Sequence, residues 1–197
     1  MNINIGVGSD SDGGNFSIDF SKRSFVLLAG ASGTGKSIFH NNLYRQLTKQ
    51  NTPQEVGFIF LDMTHVDFAS WKSPYIITIE TRAEKSIEIL ETLAHTKNDS
   101  AKHIFIHIEE CDMFVGFTER AESAVKALLA NRKDVTLIYS TSKLSLRDSL
   151  LALVDMKIMF EVGWEKTVVY ESKTVFLKPF SQAEVRLLDG FCLPLSD

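Results

Sequence analysis

Gly30, Gly35, Lys36 and Ser37 stand at the spacing G-x-x-x-x-G-K-S inside the stretch LLAGASGTGKSIF. That set of residues suits a chain of phosphates. Glycines let the backbone turn its N–H groups inward around a compact anion, and a helix beginning directly after the loop adds unpaired N–H groups and the positive end of its dipole. In such a loop Gly30, Ser32, Gly33, Thr34 and Gly35 wrap the phosphates. Lys36 reaches the β- and γ-phosphates of ATP, and the Ser37 hydroxyl holds Mg2+. The plainer reading is a glycine-rich turn with an exposed lysine. The apolar run before the loop and the helical pattern after it favour the phosphate loop.

A second set lies in HIFIHIEE, where an apolar strand delivers Glu109 and Glu110 to its C-terminal end. Phosphoryl transfer needs an acid near the metal and a group that orients the attacking water. Neighbouring side chains of a strand point to opposite faces. We therefore expect Glu109 beside Mg2+, through water, and Glu110 at the attacking water. After the following strand, Thr141 or Ser142 is placed to sense the γ-phosphate. Arg132 is a candidate finger for transition-state charge, although NRKD reads equally as a solvated helix end; Arg120 and Arg147 are weaker candidates. Asp62, His65 and Asp67 are spaced too loosely for a metal set and read as a polar loop, and His107 reads as a buried core histidine. Ser140 and Lys143 fit S-x-x-K, but the S-D-N and K-T-G companions of that chemistry are absent.

The elements that must position these residues follow from periodicity. Ile3 to Val7 and FSIDF alternate around the turn-rich GSDSDGGN, the pattern of a β-hairpin. SFVLLAG, EVGFIFLD, PYIITIE, HIFIHIEE and VTLIYST read as strands, followed by MKIMFEV, KTVVYE and TVFLKPF. Helices are predicted from Lys36 to about Thr48, over AEKSIEILETLAH, from Glu119 to Asn131, within LRDSLLALV, and from Gln182 to Leu188. Strands alternating with helices imply an α/β fold, a mostly parallel sheet with helices on both faces and an N-terminal β-hairpin. We expect one domain over 1–197, with 1–22 as the hairpin extension and 23–197 as the core. Ligands of such sheets bind beyond the carboxyl ends of the strands, where both the glycine loop and the acid pair fall.

Composition narrows the class. The 197 residues are 44% hydrophobic and 23% charged, ordinary for a globular chain with a full core. A net charge of −4 argues against a broadly basic nucleic-acid surface. Cys111 and Cys192 do not make a disulfide framework, which suits a reducing compartment. The sequence has no stretch resembling a signal peptide or a membrane span. A cytosolic location is expected, with any membrane anchor outside this sequence.

The order of parts resembles the FtsK/SpoIIIE group of P-loop motor ATPases, whose core is RecA-like. INIGVG, FSIDFSKRSFVLLAGASGTGKS, VGFIFLD, YIITIETRAEKSIEILETL and TVFLKPFSQAEV carry the likeness. IEECDMF, with its third acid Asp112, is similar to the acid strand in the C-terminal ATPase modules of type VII secretion EccC/EssC proteins. The resemblance implies a Mg-ATP module of a membrane-anchored parent. Sibling ATPase modules in the same chain, hexameric assembly, export of small helical proteins and a part in substrate recruitment are also implied. Three departures bear on turnover. Glu109 stands where the family has aspartate, Ser142 stands where DNA translocases have glutamine, and the segment before VTLIYST is one residue shorter. They imply weak or absent hydrolysis. The competing expectations are a double-stranded DNA translocase or packaging ATPase, and a degenerate P-loop domain that serves as a docking platform.

Overall fold

A computed structural model describes residues 1–10, 15–96, 101–109, 118–142, 148–160, 167–170 and 173–177, the last two stretches by backbone alone. The expected closing helix at 182–188 lies outside the described residues. The strands are β1 (Asn4–Asp10), β2 (Asn15–Asp19), β3 (Phe25–Ala29), β4 (Val56–Asp62), β5 (Ile76–Glu80), β6 (His103–Glu109), β7 (Val135–Thr141), β8 (Met156–Phe160), β9 (Thr167–Tyr170) and β10 (Lys173–Leu177). The helices are α1 (Lys36–Gln50), α2 (Ala83–His95), α3 (Glu119–Asn131) and the short α4 (Asp148–Leu151).

All ten strands join one sheet in the order β2-β1-β10-β9-β8-β3-β7-β6-β4-β5. The six strands from β8 to β5 are parallel, and the rest add on antiparallel through β9. β1 runs past the expected Val7: Gly8 and Ser9 pair with Phe16 and Asn15 of β2, and on the other side Gly8 to Asp10 pair with β10, Gly8 opposite Leu177 and Asp10 opposite Val175. That partner lies about 170 residues away in sequence, beyond the reach of any local pattern.

Strand alternation divides the core in two. Val26, Leu28, Phe58, Phe60, Phe105 and Ile138 face α1, where Phe39, Leu43, Tyr44 and Leu47 meet them. Phe25, Leu27, Ile59, Ile104, Ile106 and Leu137 face the other way, against Ile87 and Leu90 of α2 and Val125 and Leu128 of α3. Both faces of the central strands are thus apolar, as a parallel sheet covered by helices requires. The hairpin packs Ile3, Ile5, Val7 and Ile18 into the α1 face. Gln46 of α1 bonds both backbone groups of Gly6, at 3.0 Å from its N–H and 2.7 Å from its carbonyl, where the β1–β2 register shifts. The Asn51 side chain holds Asn2 in the same two-handed way at 2.6 Å each.

Two features set up the site. β7 separates the glycine-loop strand β3 from the acid strand β6, and β6 also pairs with β4 in a register that places Asp62 opposite Glu109. The C-terminal ends of β3, β4, β6 and β7 therefore open on one edge of the sheet.

Candidate active site

The loop between β3 and α1 is shaped by its glycines. Gly33 has φ 81° and Gly35 φ 107°, both in the left-handed region that disfavours side chains. The Thr34 hydroxyl donates to the Ala31 carbonyl at 2.8 Å and closes the turn, and the helix starts with Phe39 N–H on the Gly35 carbonyl at 3.0 Å. Gly30 serves a different need. A Cβ there would lie 2.6 Å from the Phe160 carbonyl oxygen and 2.7 Å from the Phe160 Cβ, so this glycine lets the end of β8 approach the loop. Gly30 N–H donates to the Thr141 carbonyl at 3.2 Å, tying the loop to β7 as well.

Ser32, Gly33, Gly35, Lys36 and Ser37 line a cleft of about 240 Å3 whose opposite wall is Asp67 and Glu109. Lys36 is 7% exposed and its Nζ donates to the Gly30 carbonyl at 2.6 Å, with the Ala31 carbonyl at 3.4 Å. The ammonium thus bridges the loop, where incoming phosphate oxygens would compete with two carbonyls for it. The Ser37 hydroxyl donates to Asp67 Oδ1 at 3.1 Å. Asp67 is delivered by the segment after β4. Both oxygens of buried Asp62 bind that segment, at Thr64 and at Phe68 N–H, and Phe68 stacks on Phe60 at 4.2 Å. Burial, and the charge of Glu109 close by, raise the Asp67 carboxyl above the usual aspartate range.

Glu109 is 3% exposed and is held by a chain of polar side chains. Its Oε2 is 2.9 Å from His107 Nε2, its Oε1 accepts from the Ser140 hydroxyl at 3.1 Å, and His107 Nδ1 is 2.7 Å from the Tyr44 hydroxyl. A consistent assignment has the Tyr44 O–H donating to Nδ1 and Nε2–H donating to the carboxylate. Strand alternation puts His107, Glu109 and Ser140 on the α1 face, and helical spacing stacks Lys36, His40 and Tyr44 above them. His107 is buried, as the sequence suggests, but it also orients the acid. His40 completes the group. Burial, with His107 and Lys36 nearby, drives its imidazole well below the ordinary histidine range, so it is neutral. His40 Nδ1 is buried without a hydrogen-bond partner, 3.9 Å from Glu109 Oε2.

The sequence-derived residues divide accordingly. Ser32, Gly33, Gly35, Lys36, Ser37 and Glu109 come together at the cleft, whereas Gly30 is packed against Phe160. Thr34 is buried inside the loop, Thr141 is buried beneath it, and Ser142 is half-buried. Glu110 lies outside the described residues. Arg132 is not brought to the cleft. It sits beside the first residue of β7, at the opposite edge of the sheet, 5% exposed. Its guanidinium bonds both oxygens of Asp134 at 2.8 and 2.6 Å and donates to the Leu93 and Thr96 carbonyls at the end of α2. These bonds tie the end of α3 to the end of α2 from a buried position, so Arg132 is a buried helix-end cation and not the solvated one that NRKD suggests. Arg120 is likewise committed, to Glu84 and Glu91 of α2.

The FtsK/SpoIIIE family model matches residues 1–160. The chain belongs to the FtsK/SpoIIIE family. DNA translocase FtsK of Tropheryma whipplei (strain TW08/27) is 22% identical over 232 residues, covering 98% of this chain and 31% of that protein. DNA translocase FtsK of Streptomyces coelicolor is 29% identical over 232 residues, covering 97% of this chain and 25% of that protein. The chain thus spans under a third of the length of these relatives. Among solved structures, the cytoplasmic domain of the type VII secretion ATPase EccC from Thermomonospora curvata superposes with a TM-score of 0.70 at 14% identity, covering 92% of this chain and 26% of that one. ATPases 2 and 3 of EssC from Geobacillus thermodenitrificans give 0.71 at 11% identity, covering 94% of this chain and 47% of that one. The genome packaging NTPase B204 of Sulfolobus turreted icosahedral virus 2, in complex with AMPPCP, gives 0.62 at 16% identity, covering 81% and 99%. At these identities the structures establish a shared P-loop NTPase fold.

Proposed function

We propose that this FtsK-type domain binds Mg-ATP in the glycine-loop cleft and acts as an ATPase module of a type VII secretion motor, taking part in substrate recruitment and export. The observation that carries the nucleotide reading is the convergence of Lys36, Ser37, Asp67 and Glu109 on one cleft. Loop amides and Lys36 bind the phosphates. The Ser37 hydroxyl and the carboxylates of Asp67 and Glu109 form an oxygen set suited to Mg2+, which would neutralise phosphate charge when bound. Glu110 takes the role of orienting the attacking water. His107 and Ser140 fix the Glu109 carboxylate, and the longer arm of glutamate accords with slow turnover. Calorimetric titration tests the core of this reading. Lys36→Ala abolishes Mg-ATP binding; an unchanged affinity refutes it.

The secretion assignment rests on the likeness to EccC and EssC folds and on the acid strand with its third acid, Asp112. On this reading the partners are sibling ATPase modules, further copies in a hexameric parent, and small helical secreted proteins. The module then sits on the cytoplasmic side of a membrane-anchored parent, through parts outside this chain. Among the described residues no helix is long and apolar enough to cross a membrane. A second reading, a double-stranded DNA translocase, is favoured by the names of the sequence relatives. The net charge of −4 weighs against it, because duplex binding depends on phosphate neutralisation. A salt titration of duplex affinity separates the two: a steep fall in affinity with salt supports DNA translocation, and no measurable binding at low salt supports the export reading.

A further inference from the structure

We propose that His40, His107 and Glu109 form a binding site for a divalent transition metal of the zinc class, beneath the floor of the glycine-loop cleft. One donor atom from each of the three residues lies within 4.8 Å of the others, and all three side chains are buried. Two imidazoles and a carboxylate are the donor set zinc accepts with a fourth position left open. Zinc bonds of about 2.0–2.2 Å place tetrahedral donors roughly 3.3–3.5 Å apart. The two separations to Glu109 Oε2, 2.9 Å from His107 Nε2 and 3.9 Å from His40 Nδ1, straddle that spacing. Glu109 also lines the glycine-loop cleft, so the site adjoins it.

The unpartnered His40 Nδ1 is the independent observation. A buried polar atom without a partner calls for a missing ligand, water or ion. Here it points at a carboxylate and stands beside a second imidazole. Mg2+ answers this poorly, since it prefers oxygen donors, whereas zinc, cobalt and nickel accept imidazole readily. His107 reaches the metal by a change of tautomer. Its proton leaves Nε2 for Nδ1, where the Tyr44 oxygen, now an acceptor, receives the N–H at the 2.7 Å contact already present. Tyr44 thereby becomes the outer partner that metal-binding histidines need. A bound zinc-class ion also takes Glu109 away from the oxygen set assigned to Mg2+, so the two ions compete through one carboxylate.

The test uses the full chain, stripped of metal by a chelator and free of nucleotide, titrated with Co2+ at pH 7. The expected result is a saturable visible d–d band at one equivalent, displaced by Zn2+ and retained in excess Mg2+. His40→Gln weakens Co2+ binding by at least roughly 10-fold, and Tyr44→Phe, which removes only the outer partner, by roughly 10–100-fold. His107→Gln removes a buried link and is vulnerable to misfolding. His40→Gln therefore carries the test, its fold checked by circular dichroism and melting. No stoichiometric band, or a band unchanged in His40→Gln, overturns the site. Tyr44→Phe binding Co2+ as tightly as the parent overturns the tautomer change on which it depends. The readout involves no nucleotide, so failure of Mg-ATP binding and failure of this site are separate results.

Discussion

Gly30 and Gly33 belong to the same loop, yet the structure gives them opposite reasons to be glycine, and that contrast makes a sharp experiment. Gly30 has no positive φ. Alanine there suffers from crowding alone: its Cβ meets the Phe160 carbonyl oxygen at 2.6 Å, the Phe160 Cβ at 2.7 Å and Thr34 Oγ1 at 2.9 Å. Two of these atoms are fixed to the β8 backbone, which cannot yield without disturbing its pairing with β3. Overpacking of this kind costs about 1–3 kcal/mol, and the backbone contact argues for the upper half, about 2–3 kcal/mol. For a chain of 197 residues each kcal/mol moves the melting temperature by about 2–4 °C, so Gly30→Ala should melt about 4–12 °C lower. At Gly33 the added methyl meets nothing within 4 Å, but φ is 81°. The left-handed backbone costs about 1–2 kcal/mol, offset by about 0.4–1 kcal/mol from a stiffer unfolded chain. The net loss is about 0–1.6 kcal/mol, or about 6 °C at most. Gly33 lines the cleft, so its methyl intrudes on the phosphates instead. Thermal melts and Mg-ATP titrations of both variants separate lost stability from lost binding. The reasoning fails if Gly33→Ala is the less stable of the two, or if Gly30→Ala melts within about 1 °C of the parent.

Other expectations follow from the same contacts. Arg132→Ala strips two bonds from Asp134 and two from the end of α2, costing about 2–4 kcal/mol in a melt while leaving Mg-ATP affinity unchanged; reduced affinity in a folded variant would restore a role at the nucleotide. Glu110→Gln retains nucleotide and stops turnover, as a single-turnover phosphate assay would show, and continued hydrolysis removes its assigned role. Burial pushes His103 down to about 4, with Asp134 opposing, and drives His40 lower than usual as well. Both take up protons on unfolding below about pH 6.5, so stability is full above that value and falls as pH drops toward 4, by about 3 kcal/mol from His103 alone. His103→Gln should flatten the slope of denaturation free energy against pH between about 4 and 6.5; an unaltered slope contradicts the assignment.

The parts of the fold that rest on local pattern were legible in the sequence. α2 and α3 begin and end where the apolar spacing and flanking residues place them, and α1 overruns its expected end by only two residues. The glycine loop was legible for the same reason, because its conformational needs are written in consecutive residues. What escaped was set by pairing at a distance. The continuation of β1 beside β10 is one case. Asp67 is another: the chain around it reads as a polar loop, and only the stacking of Phe68 on Phe60 and the hold of Asp62 on Thr64 and Phe68 turn it into the cleft.

His40 marks the boundary between what was missed and what could have been found. It follows Lys36 by four residues and precedes Tyr44 by four, so a helix starting at Lys36 must stack all three on one face. The same alternation that puts Phe105 in the α1 core puts His107 and Glu109 on that face of β6. The two periodicities together already require four ionisable side chains, Lys36, His40, His107 and Glu109, and a phenol to share one layer. Such a layer excludes water, so these groups must satisfy one another or find a ligand. Tyr44, His107, Glu109 and Ser140 do satisfy one another. His40 Nδ1 does not, and its residual demand is placed 3.9 Å from the carboxylate on which the proposed Mg2+ chemistry depends. On the proposed reading a zinc-class ion answers it, and in doing so acts directly on the orientation of Glu109.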